Sequence, residues 1–402
     1  MRKYYSIPLI FLLLAAALGL YLRWQFIAPM PGVRYAWFLH SHSHAMFLGW
    51  VFNLFYLSFL NHYLPERVHG RYMNFFWLLQ VLVAAMMISF PLQGYGLYSI
   101  IFSTLHTVLI MIFIAIFFRH TRNQTCTSLW FARVAWIFFL LSTAGPFSLG
   151  LLMANGLGQS VWYNFSIYYY LHFQYNGFFT FGIFSLFYLL LERKEILFGR
   201  EEARKIGILM AAASVPAFAL SILYAQPGLW FNIMGAGAAL LQLFALYLFL
   251  RQLRGLYHEI KAQFDPFVLK IMALILNLVF IKSFLQLVSA YDLAAQLAYE
   301  RRPVVIAYLH LVLVGVITLF LLSWYLEMDL VKKSAAKLAM QVVLVGFTGM
   351  ELCLLLQPWW SQVVGHDISA ATSIFVFSAL LFIGFFIFHM SFLIKGKATG
   401  SL

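Results

Sequence analysis

The stretch Trp37-Phe-Leu-His-Ser-His-Ser-His-Ala-Met-Phe-Leu-Gly-Trp50 puts three imidazoles, His40, His42 and His44, into the first turns of a segment apolar enough to sit in lipid. Ionisable side chains in a membrane interior are costly to bury and by default mark ion, proton or cofactor sites. On a helix His40 and His44 share a face while His42 points nearly the opposite way, so one ligand cannot engage all three. His106, His172 and His310 also lie inside apolar runs. His44 is seven residues in from Trp37, His106 nine from Leu97, His172 eight from Asn164 and His310 seven from Pro303. At 1.5 Å per residue this is ~10–14 Å below one boundary for all four. Histidines satisfied one by one would have no reason to agree in depth; a common ligand, or ligands lying in one plane, would require it. Imidazole suits haem iron and copper alike.

The elements that must position these residues are membrane spans. Of 402 residues, 63% are hydrophobic, 19% aromatic and only 10% charged, far from the composition of a soluble domain. Apolar runs of the ~20 residues that cross a bilayer core recur twelve times: 7–24, 37–61, 73–92, 97–118, 129–153, 164–191, 206–224, 228–250, 266–290, 303–326, 337–357 and 369–394. The first run, after Met-Arg-Lys, reads as an uncleaved helix, since it reaches Arg23 without a convincing cleavage site. The expected fold is all-α, a polytopic bundle of twelve transmembrane helices.

The net charge of +13 does not signal nucleic acid. Arg67, Arg71, Arg119, Arg122, the runs Arg193 to Lys205, Arg251 to Lys261 and Lys332 to Lys337, and Lys395 and Lys397 all fall on one side if the spans alternate, together with Arg2 and Lys3. The positive-inside rule puts that side, and both termini, in the cytoplasm, as in a multi-pass protein of a bacterial inner (plasma) membrane. Cys126 falls in a loop and Cys353 in a span, so neither a disulfide nor a cysteine metal motif is expected.

No linker or soluble domain interrupts the chain, which reads as one membrane domain over 1–402. Within it a pattern repeats: His42-Ser-His44-x4-Gly49, Tyr170-Leu-His172-x4-Gly177 and Tyr308-Leu-His310-x4-Gly315 stand four spans apart, in the second, sixth and tenth. Three arcs of four helices follow, roughly 1–125, 126–260 and 261–402, all in the same orientation. Each glycine lets a helix or a flat cofactor approach closely, and the pattern does not say which.

Arg301 and Arg302 stand just before the tenth span on the side otherwise nearly free of charge. Haem propionates need cationic partners, and a guanidinium pair can bind carboxylates bidentately; an interfacial anchor beside Glu300 is the alternative. Lys282 and Glu351 are the other charges inside spans. Lys282 could neutralise a propionate and Glu351 relay protons, and pairing with each other is the simpler use. Asp367, after His366, would cap the last span. His62, His69, His120, His258 and His389 need no role beyond exposure or snorkelling.

His42-x-His44-Ala-Met-Phe-Leu-Gly-Trp50 and Tyr308-Leu-His310-Leu-Val-Leu-Val-Gly315 resemble histidine motifs of the haem–copper oxidase catalytic-subunit superfamily, including nitric oxide reductases and NnrS-type haem–copper membrane proteins. Tyr170-Leu-His172-Phe-Gln-Tyr-Asn-Gly-Phe-Phe179 looks like the sixth-helix motif of those oxidases. The resemblance covers the whole topology. It implies that His44 and His310 are axial ligands of a low-spin haem b, and that His172 matches the helix-six copper ligand. Arg301 and Arg302 are propionate candidates by position alone.

The departures bear on the second site. The oxidases carry a His-His pair on helix seven, where the seventh span, 206–224, holds no histidine, and the helix-ten His-x-His is here Tyr308-Leu-His310. One bis-histidine haem and an incomplete second site remain, where His172 with His106 or His42 could hold copper or a second haem. For His172 a structural hydrogen bond to a tyrosine, Gln174 or Asn176 competes with that role, and for His106 the structural reading is preferred. The expected function is respiratory electron transfer or nitric oxide or oxygen chemistry, as an oxidoreductase if it is catalytic, with a cytochrome or quinol donor. A proton-coupled or metal-ion transporter is the rival; it would need a polar path through the largely apolar remainders of the second, sixth and tenth spans. A haem-free structural or assembly subunit is the third reading.

Overall fold

The computed structural model describes residues 1–364 and 369–399; His366, Asp367 and the Lys397 side chain lie outside the described residues. Twelve helices among the described residues are long and apolar enough to cross a membrane. They are α1 (Arg2–Trp24), α2 (Tyr35–Tyr63), α3 (Glu66–Gln93), α4 (Leu97–Thr121), α5 (Thr127–Ala154) and α6 (Val161–Arg193), followed by α7 (Arg200–Ala225), α8 (Leu229–Gly255), α9 (Pro266–Val288), α10 (Arg302–Glu327), α11 (Lys333–Val363) and α12 (Ala370–Gly396). No strand occurs among the described residues. The protein is an all-α, multi-pass membrane protein. In lipid every backbone donor must be satisfied within its own segment, and helices achieve this.

Each helix matches one apolar run of the sequence, usually with a polar turn added. α3 begins at Glu66, seven residues before its apolar run, because Pro65 and Glu66 suit a helix start and Arg67 and Arg71 coil with it into the polar boundary. Two short helices have no counterpart among the apolar runs, and one of them is Tyr257–Gln263 between α8 and α9. The other, Asp292–Glu300, lies between α9 and α10 and exposes Leu293 and Leu297. Asn232 of α8 ties down its start, donating to the Ala290 carbonyl (2.9 Å) and to Asp292 Oδ1 (2.6 Å).

The chain divides into two compact units. The first joins Met1–Arg122 to Met328–Leu402, so α1 to α4 pack with α11 and α12; the second is Asn123–Glu327, α5 to α10. In the first unit α12 lies along α11 and α1, where Arg2 donates to the Leu330 carbonyl (3.0 Å) and Ser6 meets His389 (3.0 Å). In the second, Glu192 at the end of α6 accepts from the backbone N–H groups of Thr127 and Ser128 at the start of α5, at 2.9 and 3.2 Å. A carboxylate at a helix N-terminus is stabilising. Lys194 pairs with Glu327 at 3.0 Å.

α2 and α6 differ from the rest. In each, 89% of the most apolar window is buried, against 28–50% in the other ten. These two helices are the cores of their units, and they carry His44 and His172.

Candidate functional site

Three π-helical stretches occur among the described residues, and each begins immediately after a histidine of the repeat. Ala45–Phe52 follows His44, Phe173–Phe179 follows His172, and Leu311–Thr318 follows His310. π-Helix is rare, and where it occurs it tends to mark functional positions. A threonine eight residues after the histidine closes two of the stretches by bonding back five residues, Thr180 to the Tyr175 carbonyl (2.6 Å) and Thr318 to that of Leu313 (2.8 Å). In α2 the polar residue past the stretch is Asn53, nine residues after His44, which donates to the Gly49 carbonyl (2.8 Å) and exchanges two amide bonds with Gln80 of α3, at 2.6 and 2.9 Å.

Two glycines of the repeat, Gly49 and Gly177, each admit a neighbouring side chain. A Cβ on Gly49 would fall 2.5 Å from the Phe11 ring of α1, and one on Gly177 would fall 2.5 Å from the Phe138 ring of α5. In both cases a phenylalanine of the preceding span fills the place of the missing side chain. This close approach belongs to helix packing.

In the first unit, α2 turns its histidines in two directions. The His42 imidazole faces α1: Nδ1 donates to the Ala15 carbonyl (2.8 Å), and the ring lies over Gly19, whose missing side chain makes the room. His40 and His44 face the other way. The His40 ring meets Tyr95 edge-on at 4.5 Å, and the His44 ring lies 4.4 Å from that of Phe90 at the end of α3. His44 Nδ1 is 2.8 Å from the His40 carbonyl, one turn back. A carbonyl can only accept, so Nδ1 carries the proton and Nε2 keeps its lone pair.

His106 of α4 is fully buried, with its ring edge-on to Phe52 at 5.8 Å and close enough to His44 for the two charges to interact. Its Nε2 has no hydrogen-bond partner. Glu351 of α11 lies within electrostatic reach of Arg23 at the end of α1, and its Oε1 is buried without a hydrogen-bond partner.

In the second unit His172 is fully buried, and both its nitrogens are engaged. Nε2 lies 2.8 Å from the Ser214 carbonyl of α7 and therefore donates; Nδ1 accepts from the Asn176 amide at 3.2 Å and faces the Ser221 hydroxyl at 3.4 Å. The Ser214 carbonyl is available because of Pro216. Proline removes a donor and breaks the α-helical ladder, so α7 continues as a 3-10 turn over Pro216–Ser221, in which the Phe218 amide bonds to Val215 (3.2 Å). That leaves Ser214 without its usual acceptance from four residues on, and His172 supplies it. The Asn176 oxygen in turn accepts from the Lys282 ammonium of α9. Lys282 thus has Asn176 as a hydrogen-bond partner within its own unit, and Glu351 has the Arg23 charge within electrostatic reach in its own.

His310 of α10 repeats the geometry of His44. Its Nδ1 is 2.8 Å from the Ile306 carbonyl, four residues back, so Nε2 again carries the lone pair. Arg301 and Arg302 are exposed at the start of α10, with Arg302 within electrostatic reach of Tyr168 of α6. Among the described residues no group of three or more histidines, cysteines and acids is placed to hold a metal ion. In this arrangement the one lone pair of His172 accepts a hydrogen bond from the Asn176 amide.

No protein-family model matches the chain, and no curated protein matches it.

Proposed function

We propose that this is a haem b-binding membrane protein, with His44 and His310 as the axial ligands, acting in respiratory electron transfer or in nitric oxide or oxygen chemistry. The observation that carries the proposal is the matched setting of the two imidazoles. Each donates Nδ1–H to the carbonyl one turn back, at 2.8 Å, and each heads a π-helical stretch. Such a second bond fixes the tautomer and orients a histidine whose Nε2 is to meet a metal. The resemblance to the haem–copper oxidase catalytic subunits supports the same two residues.

Bound haem would supply one-electron chemistry at its iron. The chain's part is to hold the imidazoles in one tautomer and to present Arg301 and Arg302 to propionates. Low-dielectric surroundings and axial histidine identity would then tune the iron. The reading places the chain in a bacterial inner membrane with both termini in the cytoplasm and a cytochrome or quinol as donor. It assigns no copper.

The test is a pyridine haemochrome spectrum with iron analysis on the purified chain. About one haem b per chain is expected; a colourless, iron-free preparation from haem-replete cells would overturn the reading.

A further inference from the structure

The second unit contains a cavity of about 130 Å³, lined by α6 to α10. Lys282, Asn176 and Ser214, linked by hydrogen bonds, form a polar cluster at one end of its lining. Apart from Thr180, Gln242 and Ser283 the rest of the lining is apolar, running past Phe184, Leu246 and Ile275 to Phe187, Leu253 and Met272. Lys282 and Met272 lie on one helix ten residues apart, which makes the slot ~15 Å long.

Lys282 is the only charged residue in the lining. Its ammonium has one hydrogen-bond partner, the neutral Asn176 amide, and the ion pairs among the described residues all lie elsewhere. An ammonium carries three donors, and a buried charge without a counter-charge costs several kcal/mol or more. The slot therefore has a cationic head position, spare donors and a narrow hydrocarbon tail position. It lacks an anion.

We propose that this slot binds one fatty acid from the bilayer, with its carboxylate on Lys282 and its chain lying towards Met272 and Phe187. A carboxylate gives the ammonium a charge-assisted bond. At about 130 Å³ the cavity is too small for a two-chain phospholipid. The proposal stands apart from the haem reading, because it uses only residues of the second unit and its readout is not a haem signal.

The test is equilibrium binding of radiolabelled palmitate to the purified full chain in nanodiscs. One saturable site is expected, displaced by unlabelled palmitate and at least tenfold less well by methyl palmitate. Lys282→Met should weaken binding at least tenfold, and Ile275→Trp, which fills the slot and keeps the lysine, should weaken it comparably. Equal displacement by methyl palmitate or by a short-tailed quinone would overturn the proposal, as would unchanged binding in both variants. If Lys282→Met does not fold, the contrast between acid and ester on the unaltered protein decides.

Discussion

His44 and His172 begin from the same sequence frame and end in opposite chemical states. Each heads a π-helical stretch in the most enclosed span of its unit, and each precedes a glycine filled by a phenylalanine from the span before. Yet His44 spends Nδ1 on its own helix and keeps a lone pair at Nε2, whereas His172 spends Nε2 on the Ser214 carbonyl and has its lone pair occupied by Asn176. The partner helix makes the difference. In the 3-10 turn that starts at Pro216 the Phe218 amide bonds to Val215 instead of Ser214, and the open Ser214 carbonyl takes the His172 imidazole. The same motif thus leaves the lone pair on Nε2 in one unit and on Nδ1, taken up by an amide, in the other.

The contrast can be broken by substitution. His172→Leu leaves the Ser214 carbonyl and the Asn176 amide without their partner, at about 1–3 kcal/mol for each buried group, whereas His44→Leu gives up one bond within its own helix, about 1 kcal/mol. Thermal unfolding of the haem-free protein should therefore show His172→Leu as clearly the more destabilised; equal losses would mean that the α7 bond carries no weight.

The glycines test the other side of the comparison, the shared frame. Gly49→Ala and Gly177→Ala each drive a methyl into a phenylalanine ring, and overpacking of this kind costs about 1–3 kcal/mol. The two should be alike, and Phe11→Ala and Phe138→Ala should each rescue only the glycine variant of their own pair. Rescue across pairs, or none, would end the equivalence of the two sites. The smallest effect concerns the threonines. Thr180→Val and Thr318→Val lose one hydroxyl bond each, about 1 kcal/mol or less, and a larger loss in either would show that its hydroxyl does more than close a π turn.

Hydropathy alone yields all twelve spans, because a bilayer core imposes a length and a composition on every crossing. The His-x4-Gly pattern was equally visible, and so were the opposed directions of His42 and His44. The π-helical stretches were not. In α2 and α6 nearly every face is buried, so apolar residues show no period that would betray a widened turn. A threonine eight residues after both His172 and His310 was the signal available. The Asn176 bond to His172 stood among the readings of the sequence, but its other partner, the Ser214 carbonyl, is a backbone group exposed only by the break at Pro216. The helix Asp292–Glu300 is too short and too polar for a hydropathy window to find.

The most direct test of the account is the visible spectrum of single-site variants purified with haem, with imidazole added back. His44→Gly and His310→Gly should each lose the low-spin Soret band and regain it with external imidazole, while His172→Ala keeps the band throughout. A spectrum that survives in both glycine variants, or one that depends on His172 instead, would contradict it.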